Sequence, residues 1–196
     1  DIGNKAFTDL GSEKCMKTLL NSPGNFTASK LAWVKQNLPN IYDKVYKFML
    51  PGDYLAFKLS GEASTTICGL SEGIFWDFEK NNIAEYLFDY YGIDSSLCPR
   101  VVENFKDQCY TTKKASEQTG LPINIPIKYR GGDQPNNALS LNILKPGEVA
   151  VTAGTSGVIY AITDKLKSEE SLRINNFAHV NYNKDNAILG KLLCIN

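Results

Sequence analysis

The spacing of apolar residues predicts that the first half of the chain is mostly helical. Ala28, Leu31 and Val34 fall on one helical face behind Thr27, a residue type that commonly caps a helix N-terminus. Proline is favoured at the first position of a helix and glycine just after the last, so these residues mark further helix ends. The predicted helices run from Ser12 to Leu20, Ala28 to Asn37, Pro39 onward, Pro51 to Leu59 and Asn82 to Tyr91.

Two stretches of this half lack the helical period. Residues 46–50, YKFML, are predicted to form a short buried strand. Residues 62–78, EASTTICGLSEGIFWDF, are rich in β-branched and small side chains, which favours strand and loop over helix. The two tryptophans, Trp33 and Trp76, are expected in the core.

The last third of the chain changes to a strand-like pattern. Residues 123–129 alternate apolar and polar side chains, as a half-buried strand does, and residues 134–144 predict a short helix. Residues 148–163 predict two strands joined by a Gly-Thr-Ser-Gly turn, and residues 177–195 predict a hairpin. Helices followed by strands indicate a mixed α/β (α+β) fold.

Composition and charge argue against several classes of partner. Lysine and arginine number 21, aspartate and glutamate also number 21, and the net charge is zero. A balanced surface gives no basis for binding nucleic acid or an acidic membrane, and no apolar run reaches the roughly 18 residues of a membrane helix. The five cysteines are scattered and never spaced like metal ligands, which indicates a cytoplasmic protein with reduced thiols and no metal site of its own.

The two ends of the chain suggest that it belongs to a longer protein. It starts at Asp1 without a methionine and stops inside an apolar run, residues 187–195. We therefore expect a fragment that is inactive alone. Unpaired strand edges would favour self-association, and a homodimer is among the assemblies that such edges allow.

The first candidate for chemistry is Asp133, which follows two glycines between a predicted strand and a predicted helix. Aspartate at such a turn commonly caps the helix by accepting hydrogen bonds from free backbone N–H groups. A cap needs no glycines before it, so Gly131 and Gly132 indicate a positive φ or a close approach of the backbone by a ligand. A carboxylate held there can accept a proton from a substrate hydroxyl.

The second candidate is the Gly154-Thr155-Ser156-Gly157 turn. A tight hairpin turn alone would explain its small residues. Alternatively, its N–H groups and the hydroxyls of Thr155 and Ser156 could cradle phosphate, although the turn lacks the lysine of a P-loop. If the two turns face each other across a cleft, one would activate an alcohol while the other holds the phosphates of a nucleotide, an arrangement that suits phosphoryl transfer.

Four segments resemble the FGGY family of carbohydrate kinases, with a spacing most similar to that of the xylulokinases. They are PGNFTASKLAWV, MLPGDYLAFKLSGE, GGDQPNNALSLNILKPGEVAVTAGTSGVIYAIT and FAHVNY, and the resemblance runs over nearly the whole chain. The resemblance implies an actin-like (ribonuclease H-like) ATPase fold with its active site between two domains. Residues 1–144 would be the remainder of the N-terminal sugar-binding domain, and residues 145–196 the beginning of the C-terminal nucleotide-binding domain.

The same resemblance implies a sugar site. Asp133 matches the catalytic base, which deprotonates the sugar hydroxyl that attacks the γ-phosphate. Gln134 follows it where related kinases contact the substrate. Asn25 falls where the glycerol kinase branch places a tyrosine against its substrate.

For the nucleotide, Gly154, Thr155 and Ser156 match the phosphate loop that opens the second domain. The implied ligands are therefore ATP, Mg²⁺ and a small sugar. The implied reaction is phosphorylation of D-xylulose to xylulose 5-phosphate.

One departure from the family lies near Thr65, where many relatives carry an aspartate after the threonine and this chain does not. The loop is expected to be arranged differently, and Glu72 could compensate, although its spacing does not prove a place in a cleft. His179, the only histidine, is expected to be structural.

Other functions remain open from the sequence. The chain could belong to a kinase of the same family for ribulose, gluconate or glycerol. It could also be a non-catalytic module that binds a sugar or a nucleotide, or a structural domain whose two turns are only a cap and a hairpin.

Overall fold

A computed structural model describes residues 1–24, 26–154, 157–167 and 173–195. The helices in these ranges are α1 (Ile2–Leu10), α2 (Ser12–Thr18), α3 (Thr27–Asn37), α4 (Pro39–Tyr42), α5 (Pro51–Ser60), α6 (Ile67–Glu72), α7 (Glu85–Tyr91), α8 (Lys113–Thr119) and α9 (Asp133–Ser140). The strands are β1 (Ser64–Thr66), β2 (Trp76–Asp77), β3 (Asn82–Ile83), β4 (Arg100–Val102), β5 (Cys109–Tyr110), β6 (Pro126–Ile127), β7 (Val149–Thr152), β8 (Gly157–Thr163), β9 (Ile174–Ala178) and β10 (Leu189–Ile195). None of these helices has both the length and the hydropathy that crossing a membrane requires.

The larger core is built from the helices of the first half around a group of aromatic rings. Phe48 stacks on Phe75 with ring centroids 4.3 Å apart, and Phe75 lies 5.1 Å from Phe88. Leu70 and Leu87 are fully buried within the same core. Large aromatic surfaces removed from water in this way supply much of the driving force for folding.

Several predicted elements are confirmed. Helix α5 begins at Pro51 and is followed by Gly61 at φ 75°, in the left-handed conformation that glycine adopts most readily. Helix α7 ends in the same way at Gly92, although its first predicted residues form the short strand β3 instead. The half-buried strand predicted over residues 123–129 shrinks to the two residues of β6.

In the first half, one local prediction is wrong and another, strand and loop over residues 62–78, holds only for β1, β2 and the loops beside them. Residues 46–50 form no regular element; the Phe48 N–H donates to the Leu97 carbonyl oxygen at 3.2 Å, which is one contact rather than a ladder. Part of the 62–78 segment is helix α6, because the Thr66 hydroxyl accepts from the Gly69 N–H at 3.1 Å and caps the first turn. A local cap and burial outweigh the β propensity of the sequence here.

The C-terminal third forms a four-stranded antiparallel sheet in the order β7-β8-β10-β9. Leu189 of β10 pairs with Thr163 of β8 on one side and with Ala178 of β9 on the other. The two strands predicted around the Gly-Thr-Ser-Gly turn and the predicted hairpin are both confirmed. The shorter parallel pair β1–β4 lies in the first half.

The sheet packs on both the first core and helix α9. Phe177 and Leu189 belong to the larger core, whereas Ala138 of α9 packs with Ala150 and Tyr160 in a smaller one. The Ser71 hydroxyl of α6 accepts from the Ala178 N–H at 2.8 Å. Helix α6 is therefore fixed to the sheet, and this contact places it beside the turn before α9.

The two tryptophans provide a test of this packing. Trp76 is 2% exposed, as predicted, but Trp33 is 50% exposed on α3, so its assignment to the core is wrong. We expect Trp76→Ala to lower the free energy of unfolding by about 3–5 kcal/mol and Trp33→Ala by about 1 kcal/mol or less. Denaturant unfolding followed by circular dichroism measures both, and equal losses would contradict the packing described.

Candidate active site

Asp133 lies at a cavity of about 380 Å³. Its walls are the start of α5, one face of α6 and the turn that precedes α9. Helix α6 contributes Gly69 and Glu72 behind its cap residue Thr66, a spacing of three residues that places all three on one side of the helix. We call this the Asp133 cavity.

The buried guanidinium of Arg130 joins the cavity walls. Its Nη1 lies 3.4 Å from Asp53 Oδ1 and donates to the Ser64 carbonyl oxygen at 2.7 Å. Its Nη2 donates to Ser64 Oγ at 3.1 Å, and its Nε donates to Gln108 Oε1 at 3.0 Å. One side chain thus connects α5, β1 and the segment before β5 to the Gly-Gly-Asp turn.

The Asp53 carboxylate has a structural role as the ion-pair partner of Arg130. Burial raises the pKa of Asp53, while the nearby Thr65 hydroxyl and the positive charge of Arg130 oppose that rise. Its Oδ2 also accepts from the Leu50 N–H at 3.3 Å at the start of α5. Its carboxylate lines the cavity with its main partners already in place.

The two glycines of the turn do not have the positive φ that was one of the predictions. Gly132 has φ −72° and ψ 176°, and Gly131 is likewise absent from the left-handed region. The other prediction, a close approach, describes the turn correctly, but the group that approaches is Glu72. A Cβ atom on Gly132 would lie 2.6 Å from Glu72 Cδ, closer than two such atoms can come.

Asp133 is the first residue of α9 and not its N-cap, which corrects the capping prediction. Its exposed carboxylate accepts from the Gln134 N–H at 2.8 Å. Gly132 holds the cap position, and its carbonyl oxygen accepts from the Asn136 N–H at 3.1 Å. Asn136 Nδ2 donates to the Gly131 oxygen at 3.2 Å. These contacts hold the turn and the Asp133 carboxylate at the start of α9.

Glu72, like Asp133, presents its carboxyl group to the Asp133 cavity, where a ligand would contact it. Burial, followed by the negative charges of Asp133 and Asp53, raises the pKa of Glu72 to about 7. A hydrogen bond from the Gly132 backbone opposes this rise. Glu72 therefore changes its charge near neutral pH, and the sequence-based suggestion of a carboxylate near a cleft agrees with its position.

Of the other predicted site residues, the structure describes only Gln134 and Gly154. Gln134 directly follows Asp133. Gly154 is exposed just after β7 and does not line the Asp133 cavity, although β7 and α9 pack against each other. Asn25, Thr155 and Ser156 lie outside the described residues.

Sequence reasoning missed Arg130 and Asp53. The signal in the sequence was the position of Arg130 directly before the two glycines. The departure near Thr65 also has a local explanation. Thr66 caps α6 through its hydroxyl, and threonine and aspartate are both effective N-cap residues.

His179 is structural, as predicted. Its ring is buried, and Nε2 lies 3.1 Å from the Ile143 carbonyl oxygen, which can only accept. Nδ1 therefore accepts from the Tyr160 hydroxyl at 3.0 Å. Burial lowers the pKa of His179 to about 4, so the ring is neutral at physiological pH.

Within the described ranges, no three histidine, cysteine, aspartate or glutamate side chains are grouped so that they could hold a metal ion. Mg²⁺ in phosphoryl transfer is commonly held by one or two carboxylates together with the phosphates of the substrate. A magnesium ion that arrives with a nucleotide is compatible with this donor set.

Comparison with known proteins places this chain in a family. A profile of the N-terminal domain of the FGGY family of carbohydrate kinases matches residues 11–140. The chain belongs to this family. The FGGY resemblance found in the sequence is thereby confirmed.

The similar proteins include xylulose kinases. The xylulose kinase of Staphylococcus xylosus is 30% identical over 154 residues, which cover 79% of this chain and 32% of that protein. The chain thus spans about a third of the length of the curated relatives that it matches.

Solved structures confirm the fold. The crystal structure of xylulose kinase from Rhodospirillum rubrum matches with a TM-score of 0.87 at 23% identity, over 99% of this chain and 39% of that one. Plasmodium falciparum glycerol kinase with ADP matches with a TM-score of 0.82 at 18% identity, over 98% and 40%. The predicted mixed α/β fold, a partial actin-like fold, is the fold observed.

The Arg130 contacts predict a large loss of stability on truncation. Arg130→Ala would leave Asp53 buried without its ion-pair partner, which typically costs about 3–5 kcal/mol. Arg100→Ala is the matched control, because its ion pair with Glu62 is exposed and worth about 1 kcal/mol or less. Equal effects in denaturant unfolding would show that the buried guanidinium is not the stronger constraint.

Glu72 predicts a stability change whose size depends on pH. Below about pH 4.5 Glu72 is protonated in the folded and unfolded states alike; between pH 4.5 and about 7 only the folded state keeps the proton, so stability falls as the pH rises. Glu72→Gln should therefore stabilise the protein by about 1–3 kcal/mol at pH 8 and by much less at pH 4.5. Thermal unfolding at both pH values measures this, and a gain that is larger at pH 4.5 would reverse the sign.

Proposed function

We propose that this chain contributes the sugar site and the catalytic base of an ATP- and Mg²⁺-dependent sugar kinase that converts D-xylulose to xylulose 5-phosphate. The observation that carries the proposal is the position of Asp133, an exposed carboxylate at the first turn of α9 and beside a cavity. Membership of a family of carbohydrate kinases supports the reaction. The relatives named xylulose kinase support the choice of sugar.

In the proposed reaction, Asp133 takes the proton of the acceptor hydroxyl as that oxygen attacks the γ-phosphorus. The new bond joins the sugar oxygen to phosphorus, and the bond between the γ-phosphorus and the bridging oxygen of ADP breaks. ADP leaves with that electron pair. Positioning and charge stabilisation dominate phosphoryl transfer, and a general base adds to them.

Gly154, Thr155 and Ser156 are the residues proposed to hold the nucleotide phosphates. The exposure of residues 151–154 leaves the end of β7 open to such a ligand, and Gly154 presents no side chain there. Mg²⁺ would neutralise charge on the phosphates. Gln134 and Asn25 are proposed to contact the sugar.

The remaining parts of the proposal concern the whole protein. We retain residues 1–144 as sugar-binding domain and residues 145–196 as the beginning of the nucleotide-binding domain. We also propose a cytoplasmic location, which the scattered free cysteines support. The homodimer remains a proposal that a measurement of mass in solution tests.

Replacement of the base tests the proposal most directly. In the full-length protein, Asp133→Asn should lower kcat by about 10²–10⁴-fold, because an amide cannot take the proton. Sugar binding should persist, since the amide retains hydrogen-bonding capacity. Steady-state phosphorylation and sugar titration measure the two quantities. Asp89→Asn, an exposed aspartate on α7, is the control with the same chemical change.

The acceptor is tested by assaying D-xylulose beside ribulose, gluconate and glycerol. The highest kcat/KM on D-xylulose supports the proposal, and a higher value on another acceptor replaces only the substrate. Sugar binding that ignores ATP and yields no phosphorylated product would favour a binding module. An Asp133→Asn variant with undiminished turnover would refute the assigned base.

A further inference from the structure

Glu72 and Gly132 fit together in a way that the backbone conformation alone does not require. The φ and ψ of Gly132 are extended values that any residue can adopt, so glycine is not needed there for backbone freedom. A methyl group at this position would collide with both carboxyl oxygens of Glu72 and would lie 2.6 Å from its Cδ. The missing side chain of Gly132 makes room for the Glu72 carboxyl.

Glu72 is held in this place by the anchoring of its helix. Thr66 caps the first turn of α6, and the Ser71 hydroxyl, one residue before Glu72, accepts from the Ala178 N–H of β9. Ser71 Oγ also donates to the Cys68 carbonyl oxygen at 2.9 Å. The helix therefore has little freedom to withdraw the carboxyl from the turn.

The titratable side chains that face Glu72 do not neutralise the negative charge of its carboxylate. From α9 comes the charge of Asp133, and from α5 that of Asp53, which is already paired with Arg130. Cys68 on α6 lies close enough for its charged form to interact with Glu72. The Tyr129 and Tyr160 hydroxyls are similarly close, and burial raises the pKa of both. Among the described residues, Glu72 forms no ion pair with a lysine or arginine.

We propose that Glu72 is a positioning residue for Asp133: its carboxyl occupies the space left by Gly132 and its charge controls how readily Asp133 takes the proton of the acceptor. The inference rests on the proposed function, in which Asp133 is the base. When Glu72 is ionised, the two carboxylates repel each other, and this repulsion is relieved as Asp133 accepts the proton of the acceptor hydroxyl. Ionisation of Glu72 therefore favours the proton transfer.

The test is the pH dependence of kcat in the full-length protein with D-xylulose or the acceptor that it prefers. The wild-type kcat should rise about 3–10-fold between pH 6 and pH 8, as Glu72 ionises. Glu72→Gln should lose this rise and keep the lower rate, with the KM for sugar and for ATP within about 2-fold. Glu85→Gln, on the exposed first turn of α7, is the matched control and should keep the rise.

A steric variant tests the contact separately from the charge. Gly132→Ala is compatible with the backbone, so its main effect should be to displace the Glu72 carboxyl and weaken the same pH-dependent rise. In the Glu72→Ala background the added methyl group has room, and Gly132→Ala should then have little further effect on kcat or melting temperature. Equal effects in both backgrounds would show that Glu72 does not occupy this space.

A measurement without turnover separates this inference from the proposed function. At pH 8, the rise in melting temperature caused by Glu72→Gln should be smaller in an Asp133→Asn background, where the repelling charge is absent. Full additivity would show that the two carboxyl groups are not coupled and would overturn the inference. If the wild-type protein phosphorylates no acceptor but the coupling is found, the proposed function fails while the contact stands. An unchanged pH profile in an active Glu72→Gln enzyme overturns the inference alone.

Discussion

The buried guanidinium of Arg130 is the constraint on which the candidate site depends. It bonds Ser64 of β1, faces Asp53 of α5 and bonds Gln108 before β5, and it directly precedes the Gly-Gly-Asp turn. A buried ion pair stabilises a fold only when its remaining donors are satisfied, and here the Arg130 donors find fixed partners. The position of Asp133 therefore depends on buried contacts between segments that are far apart in the chain.

Three carboxyl groups line one cavity, and their surroundings give them different properties. Asp53 is buried beside Arg130 and serves the structure. Asp133 is exposed at the first turn of a helix, where negative charge is favoured. Glu72 is largely enclosed, has no cationic partner among the described residues and has a pKa of about 7. The same functional group thus supplies an anchor, a proposed base and a group that titrates near neutral pH.

Local sequence rules predicted elements whose ends are determined by nearby residues. Pro51 and Gly61 mark helix α5 because proline suits a first turn and glycine adopts a positive φ. The runs on either side of the Gly-Thr-Ser-Gly turn, within residues 148–163, correctly predicted two strands. The rules failed for YKFML, where Phe48 enters an aromatic core without strand pairing, and for α6, where a threonine cap and burial override β propensity. Trp33 shows the same limit, since its apolar character does not determine which face of α3 is covered.

The sequence by itself determined the family, the candidate base Asp133 and two glycines that predicted either a positive φ or the close approach of a ligand. Those features are encoded in short motifs, whose residue types suffice to indicate the chemistry. Only the tertiary structure decided that the group close to Gly132 is Glu72 and that Arg130 holds the turn. Both contacts join residues about 60 or more positions apart along the chain, from Glu72 to Gly132 and from Arg130 to Ser64. Contacts of this kind depend on how helices and strands pack, which no local pattern specifies.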